Sequence, residues 1–198
     1  MLRIGLCGGS GVGKGYISKI LKEYGFECLD TDLLVHRMYS SDRELIDTIS
    51  KEFGSETVSP DGSVDRAVLR GIVFSDKKAL DKLNRLVHAR VGGYCLDWMA
   101  EREIGGARAA FIDAPQLFEA GMEGCFDYII AVVSPDEERI ERILKRDMIS
   151  RENAEKRIAC QMTNEEYSEK CHFTIDNSAN SDSKEQLKNI LKKIGLVD

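Results

Sequence analysis

A glycine-rich segment near the N-terminus carries the clearest chemical signal in the sequence. Residues 8–15 read Gly-Gly-Ser-Gly-Val-Gly-Lys-Gly and match the pattern GxxxxGK. In that pattern the glycines allow successive backbone amides to converge on phosphate oxygens, and the lysine reaches the β- and γ-phosphates. The segment also follows an apolar stretch and precedes an amphipathic one. We therefore predict a phosphate-binding loop between a strand and a helix, with Lys14 as its cation.

The last position of this loop departs from the pattern. Ser or Thr normally stands there and binds Mg²⁺ through its hydroxyl group, whereas this chain has Gly15. Glycine supplies no ligand, and in the first turn of a helix it costs up to about 1 kcal/mol relative to alanine. Three outcomes stay open: a water takes the metal position, the reaction is slow, or catalysis has been lost.

Two carboxylates stand where predicted strands end. Asp32 closes the run Asp30-Thr31-Asp32 and could accept a proton from a substrate hydroxyl group. Thr31 or Asp32 could equally be an ordinary helix N-cap. Asp113 ends a later strand, the usual place for a carboxylate that holds a metal through water, although the run it begins could equally be a strand-to-loop exit.

Apolar segments that alternate with helical patterns predict the architecture. Near-continuous apolar strands separated by helices are typical of an α/β fold in which a parallel sheet is covered on both faces. The five strand candidates are Leu2 to Cys7, Phe26 to Asp30, Ala109 to Asp113, Tyr128 to Val133 and Phe173 to Asp176.

Two stretches interrupt the alternation. Residues 33–103 contain several helical patterns and no convincing strand, which predicts a helical insert with a kink at Gly92-Gly93. Residues 136–161 form two charged helical patterns that break near Ile149-Ser150. Their many arginines favour a solvated, mobile lid over a core element.

Composition limits the class of protein further. The 198 residues include 28 basic and 34 acidic side chains, a net charge of −6, which disfavours attachment to nucleic acid by bulk positive charge. The longest apolar run is far shorter than the ~20 residues of a membrane span, and no secretory signal is visible. Six scattered cysteines without a CxxC pair favour thiols in a reducing compartment over disulfides or a zinc site. We expect one domain, residues 1–198, in the cytoplasm.

Taken together, these residues resemble a known family. The chain is similar to the dephospho-CoA kinases, the small P-loop kinases of the last step of coenzyme A synthesis. The segments that carry the resemblance run in order over nearly the whole chain: GLCGGSGVGKG at 5–15, DTDLLVH at 30–36, LNRLVH at 83–88, DAPQLFE at 113–119, RILKRD at 142–147 and IDN at 175–177. As a set they are far more specific than the phosphate loop alone.

The resemblance implies a P-loop kinase fold with a five-stranded parallel sheet, helices on both faces, a helical acceptor-binding insert and a helical lid. It also implies ATP-dependent phosphorylation of the ribose 3′-hydroxyl group of dephospho-CoA. ATP and dephospho-CoA would be the partners, with Mg²⁺ as cofactor. From the composition we expect no membrane or nucleic-acid partner, and we expect a monomer or weak homo-oligomer.

The resemblance also implies roles for single residues. Asp32 becomes the general base, and Arg142 and Arg146 would neutralise charge on the transferring phosphoryl group. The expected catalytic residues are Asp32, Lys14 and Arg142. Arg66 and His88 would contact the acceptor, although both could simply serve packing and capping. The residues expected to bind ATP are Gly9, Gly11, Val12, Gly13, Lys14, Gly15, Tyr16, Arg142, Arg146 and Asn177.

Four positions depart from the family pattern. Gly15 replaces the hydroxyl residue, Ala89 replaces a proline, Gln116 replaces an apolar residue, and His172 stands where the family usually has Asp. Only Gly15 touches the expected chemistry. Two alternatives therefore stay open: a kinase of the same fold that acts on another small acceptor such as a nucleoside monophosphate, and a catalytically impaired nucleotide-binding relative.

Overall fold

The computed structural model describes all residues, Met1–Asp198. They form two compact units, of which the first comprises Met1–Leu29 and Met99–Asp198 and the second Asp30–Trp98. None of the helices combines the length and apolar character that a membrane crossing requires.

Five strands and nine α-helices make up the fold. In chain order they are β1 (Leu2–Cys7), α1 (Lys14–Glu23), β2 (Glu27–Asp30), α2 (Thr31–Ser41), α3 (Arg43–Phe53), α4 (Arg66–Ser75), α5 (Lys77–Ile104), β3 (Ala109–Asp113), β4 (Tyr128–Val133), α6 (Asp136–Asp147), α7 (Arg151–Ala159), α8 (Asn164–Lys170), β5 (Phe173–Asp176) and α9 (Ser183–Lys193). All five predicted strands are confirmed, and β2 begins one residue later than predicted.

The strands form one sheet in the order β2-β3-β1-β4-β5. β1 pairs in parallel with β3 and β4, and β4 pairs in parallel with β5. In this register Leu6 lies beside Asp113, and Cys7 lies beside Ala131. The carboxyl ends of β1 and β3 therefore meet at one edge of the sheet, where parallel α/β folds place their sites.

Residues of β1 pack against other parts of the chain on both faces of the sheet. Ile4 and Leu6 are fully buried in a core that also contains apolar side chains of α1 and α9. Successive side chains of a strand point to opposite faces, and Gly5 accordingly faces the other side. A Cβ atom at Gly5 would lie 2.6 Å from Cδ1 of Leu117, so the chain packs directly on the strand at this point.

The second unit is helical apart from an isolated bridge between Val58 and Val64. Its first helix, α2, is capped by Asp30, whose carboxylate accepts a hydrogen bond from the Leu33 amide at 2.9 Å. The alternative expectation of a cap at Thr31 or Asp32 is therefore wrong, because both residues already lie inside the helix. Asp65 caps α4, since its carboxylate accepts hydrogen bonds from the Ala67 and Val68 amides.

Helix α5 runs without interruption from Lys77 to Ile104. It continues through Gly92 and Gly93, where the sequence suggested a kink, and a Cβ atom at either glycine would meet nothing within 4 Å. The two glycines therefore do not end or divide the helix.

Helices α6 and α7 pack against each other around a small core of Ile140, Ile143, Ala154 and Ile158. Between them Met148 adopts a left-handed conformation with φ of 54°, which ends α6 at the predicted break. Arg139 is an exception to the expected solvated surface of this segment, because only 2% of its side chain is exposed.

Helix α8 had no counterpart in the prediction. It has seven residues and begins with a capping box, in which Thr163 and Glu166 each bond the other's backbone amide. The Thr-x-x-Glu spacing that produces this motif is visible in the sequence and could have revealed the helix.

Candidate active site

The phosphate loop connects the end of β1 to the start of α1, as predicted. Its backbone is left-handed at Gly8, Gly11 and Gly13, with φ of 138°, 80° and 91°, and Gly13 is the N-cap residue of α1. At Gly8 the chain has no room for a side chain, because a Cβ atom would lie 2.3 Å from the carbonyl oxygen of Val132. The glycines therefore satisfy a backbone and packing requirement that no other residue type meets here.

Lys14 and Asp113 bring opposite charges together at the loop. The Lys14 ammonium group donates a hydrogen bond to the Gly8 carbonyl at 2.9 Å and lies 4.0 Å from Oδ1 of Asp113. Both side chains are largely buried. The register of β1 with β3 places Asp113 beside Leu6, close to where β1 leads into the loop. The arrangement offers a cation for phosphate oxygens next to a carboxylate that can accept hydrogen bonds from metal-bound water.

Ser10 is held by two residues from the predicted lid segment. Its amide donates to Oε1 of Gln161 at 2.8 Å, and Nε2 of Gln161 donates to its hydroxyl oxygen at 3.2 Å. Nε of Arg139 donates to its carbonyl oxygen at 3.0 Å, and the same guanidinium pairs with Asp136. Sequence reasoning assigned no site role to Arg139, although its spacing from Ile140 and Ile143 places it next to the buried stripe of α6.

The predicted residues Arg142 and Asn177 also reach the loop. Arg142 donates to the carbonyl oxygens of Gly11 and Val12 at 3.2 and 3.3 Å and to that of Asn177 at 2.9 Å. Glu138 pairs with the same guanidinium at 2.8 Å. The Asn177 side chain donates to the Val12 carbonyl at 2.8 Å. In this structure both side chains contact carbonyl oxygens of the loop.

Two of the predicted nucleotide ligands, Arg146 and Tyr16, have exposed side chains. Arg146 pairs with its neighbour Asp147, and 62% of its side chain is exposed. Arg157 binds the same carboxylate, and hydrogen bonds to Arg146 and Arg157 lower the pKa of Asp147 to about 2. Tyr16 is half exposed, and its amide donates to the Gly13 carbonyl at 2.9 Å.

The second unit carries the remaining predicted residues. Asp32 is exposed in the first turn of α2, and His36 follows one turn later on the same face. A hydrogen bond of 3.0 Å joins the Arg66 guanidinium to Nδ1 of His36. His88 is half-buried on α5. Sequence reasoning gave His36 no site role, although its i, i+4 spacing from Asp32 was a usable signal.

No group of three or more His, Cys, Asp or Glu side chains in the chain is arranged to hold a metal ion. At Gly15 a Cβ atom would meet nothing within 4 Å. The space that a Ser or Thr side chain would occupy in the usual loop is therefore open.

The parallel sheet and its glycine-rich strand–loop–helix define the class as a P-loop kinase fold. Shikimate kinase from Acinetobacter baumannii shares this fold, with a TM-score of 0.54 and 17% identity over 98% of this chain and 93% of that chain. The model of the dephospho-CoA kinase family matches residues 2–183. The chain therefore belongs to the dephospho-CoA kinase family.

Two relatives with this name and one solved structure are similar along nearly the whole chain. The dephospho-CoA kinase of Fusobacterium nucleatum is 35% identical over 191 residues, which cover 96% of this chain and 94% of that protein. That of Carboxydothermus hydrogenoformans is also 35% identical over 191 residues, with 96% and 93% covered. The crystal structure of TT1252 from Thermus thermophilus has a TM-score of 0.82 and 31% identity, with 98% and 97% covered.

Proposed function

We propose that this chain transfers the γ-phosphoryl group of ATP to the ribose 3′-hydroxyl group of dephospho-CoA, the activity named by its family. One observation carries the proposal. The family match over residues 2–183 includes a glycine-rich loop whose Lys14 lies 4.0 Å from Asp113, the last residue of β3. A cation and a carboxylate at this place are the charges that phosphoryl transfer requires.

The loop would hold the phosphates of ATP. Backbone amides from Gly11 to Gly15 and the N-terminus of α1 supply partial positive charge. Lys14 would exchange its bond with the Gly8 carbonyl for phosphate oxygens. Arg142 would exchange its bonds with the Gly11 and Val12 carbonyls for phosphate oxygens and neutralise charge that develops on the transferring group.

Asp32 is proposed as the general base that removes the proton from the acceptor hydroxyl group. Asp30 takes the capping role that competed with this assignment, so Asp32 is not required to start α2. The Arg66–His36 pair lies in the same unit and would bind phosphates of the acceptor, because arginine recognises phosphate oxygens through its paired N–H groups. His88 is proposed to assist on the acceptor side.

Mg²⁺ is proposed as the cofactor, and the residues present fit it. Protein sites for Mg²⁺ with nucleotides use one or two carboxylates plus phosphate oxygens and retained waters, so the lack of a larger acidic cluster is compatible with binding. Asp113 would hold the ion through water. When bound, the ion neutralises phosphate charge, and the open space at Gly15 leaves room for an additional water ligand.

We further propose that the protein works in the cytoplasm as a monomer or weak homo-oligomer. All six cysteines are free thiols, as is typical of a reducing compartment. Sedimentation equilibrium of the purified chain would determine the oligomeric state.

A coupled ADP-release assay with dephospho-CoA and a panel of nucleoside monophosphates tests the activity. We expect ADP release with dephospho-CoA and none above background for the Lys14→Met variant. Preference for a nucleoside monophosphate would overturn the substrate assignment. The absent hydroxyl group at Gly15 favours a second candidate, a nucleotide-binding relative with impaired catalysis. Its signature is ATP binding by calorimetry with background turnover at high Mg²⁺.

A further inference from the structure

Two thiol groups meet beside the phosphate loop. Cys7 is the last residue of β1 and directly precedes Gly8, while Cys171 lies between α8 and β5. Their Sγ atoms are 3.3 Å apart. Both cysteines belong to the same compact unit, and neither has a role in the proposed transfer.

We propose that Cys7 and Cys171 form a redox modification site, at which a hydroperoxide converts the two thiols into a disulfide that disturbs the phosphate loop. Disulfides in reducing compartments are usually transient and redox-sensing, so this pair would act as a reversible brake on the enzyme.

The backbone holds both cysteines in facing positions. Cys7 is fixed by the pairing of β1 with β4, where it lies beside Ala131. The residue after Cys171, His172, is joined twice to Ile129: its amide donates to the Ile129 carbonyl at 2.9 Å, and its Nδ1 accepts from the Ile129 amide at 3.0 Å. Closing the Sγ distance of 3.3 Å to a disulfide bond of about 2.04 Å requires a movement of about 1.3 Å.

Cys171 is the thiol that would react first. It is half-buried, whereas Cys7 is fully buried. The hydrogen bond from Cys7 lowers the pKa of Cys171, while that same bond, together with burial, raises the pKa of Cys7. The thiolate, which is the reactive form, therefore develops on Cys171.

The reaction proceeds in two balanced steps. The Cys171 thiolate attacks one oxygen of the hydroperoxide, the O–O bond breaks, and sulfenic acid and hydroxide (or alkoxide) result. The Cys7 sulfur then attacks the sulfenic sulfur, and the hydroxyl group leaves as water with the Cys7 proton. The two sulfurs together lose two electrons, which the peroxide oxygen atoms accept.

The position of Cys7 links this bond to the loop. Gly8 follows it directly and lies so close to the Val132 carbonyl that it cannot carry a Cβ atom. The Gly8 carbonyl accepts the hydrogen bond of the Lys14 ammonium group. A shift of Cys7 toward Cys171 would therefore move Gly8 and the lysine that depends on it, and a displacement of about 1 Å at a reacting group costs roughly 100-fold in rate.

The test exposes the full-length chain to hydrogen peroxide and measures free thiols, peptide linkage by mass spectrometry, ATP binding by calorimetry and turnover. We expect loss of two thiols, a Cys7–Cys171 linked peptide and a roughly 10- to 100-fold loss of turnover that dithiothreitol reverses. Cys171→Ser should keep its basal turnover and resist peroxide. Cys160→Ser, which removes an exposed thiol, is the matched control and should stay sensitive.

Two results would overturn the proposal. One is peroxide treatment that oxidises other cysteines without producing the Cys7–Cys171 peptide. The other is a linked protein that binds ATP and turns over like the reduced one, which would refute the effect on the loop. Thiol counts and peptide mapping do not depend on the kinase reaction, so a failure of the proposed function would be recognised separately.

Discussion

The Arg139 guanidinium donates a hydrogen bond to the Ser10 carbonyl oxygen at 3.0 Å and thereby joins helix α6 to the phosphate loop. Its other contacts, with Asp136 and Gln161, use the remaining nitrogens of the group. An arginine that is 2% exposed is retained in a protein interior only where such partners satisfy it. We infer that Arg139 positions the loop for nucleotide binding.

Replacing this arginine should weaken ATP binding. In Arg139→Met the long apolar side chain fills similar space, but the hydrogen bond to Ser10 is lost. A hydrogen bond that involves a charged group is worth about 1.5–3 kcal/mol, so we expect the KM for ATP to rise roughly tenfold or more while the KM for dephospho-CoA stays the same. Steady-state kinetics with each substrate varied in turn measures the two values.

Arg151→Met is the matched control for this experiment. Arg151 is an exposed arginine of α7 that pairs with Glu137 and Glu155, and exposed pairs contribute little. Equal effects of the two substitutions on the KM for ATP, or a rise in both KM values, would show that Arg139 acts on folding rather than on the loop.

Asp32 can be separated from its neighbour Asp30 by paired substitutions. Asp32→Asn removes the proposed base, and loss of general-base catalysis lowers kcat by about 100- to 10,000-fold, with ATP affinity unchanged in calorimetry. Asp30→Asn keeps a good N-cap for α2, because Asn and Asp cap equally well, and should keep most of the activity. The reverse pattern would assign the base to Asp30.

Strands β1, β3 and β4 were predictable because they are near-continuous apolar runs, and the phosphate loop was predictable from its distinctive glycine spacing. The N-cap residue of α2 could not be predicted, since Asp30, Thr31 and Asp32 are all good capping residues and the choice depends on where β2 ends. Helix α8 is too short for a periodic signal, although its capping box was present in the sequence.

The site was predictable only in part. Lys14 and Asp113 could be placed together because parallel strands end at the same edge of a sheet. The burial of Arg139 could not be predicted, because arginines in a charged helix are usually solvated, and only tertiary packing buries this one. The proximity of Cys7 and Cys171 depends on the folded chain for the same reason, since they are 164 residues apart in sequence.

Gly15 offers a test of the metal site by gain of function. A side chain there would meet nothing within 4 Å, so Gly15→Ser and Gly15→Ala should both fold and stabilise the first turn of α1 by up to about 1 kcal/mol. Only the serine provides a ligand for Mg²⁺. We expect a lower Mg²⁺ concentration for half-maximal rate in the serine variant alone. An equal response of the alanine variant would attribute the change to the helix rather than to the metal.

The lowered pKa of Asp147 predicts that the stability of the α6–α7 pair depends on pH. Arg146 and Arg157 lower its pKa from 3.8 to about 2, so the folded form binds this proton less readily than the unfolded form. The stabilisation is therefore fully present above about pH 4 and is lost as the pH falls toward 2. Because the carboxylate is 23% exposed and Arg146 mostly exposed, we expect no more than about 1 kcal/mol.

Asp147→Asn should reproduce that loss at neutral pH. Hydrogen exchange of the α6 and α7 amides measures it locally, and exchange in the variant should no longer respond to this titration between pH 4 and 2. Glu152→Gln is the control, since Glu152 pairs with Lys156 on the exposed side of α7. Unchanged protection in Asp147→Asn would mean that the two arginines do not stabilise the helix pair through this carboxylate.

The small core shared by α6 and α7 predicts how the lid segment, residues 136–161, moves when substrates bind. Because Ile140, Ile143, Ala154 and Ile158 pack together, the two helices should move as one body, and the contacts to Ser10 from Arg139 and Gln161 should restrict that movement. With ATP and dephospho-CoA bound, hydrogen exchange should slow over residues 136–161 together. Protection confined to α7, or no difference between free and bound protein, would contradict closure of the helix pair as a unit.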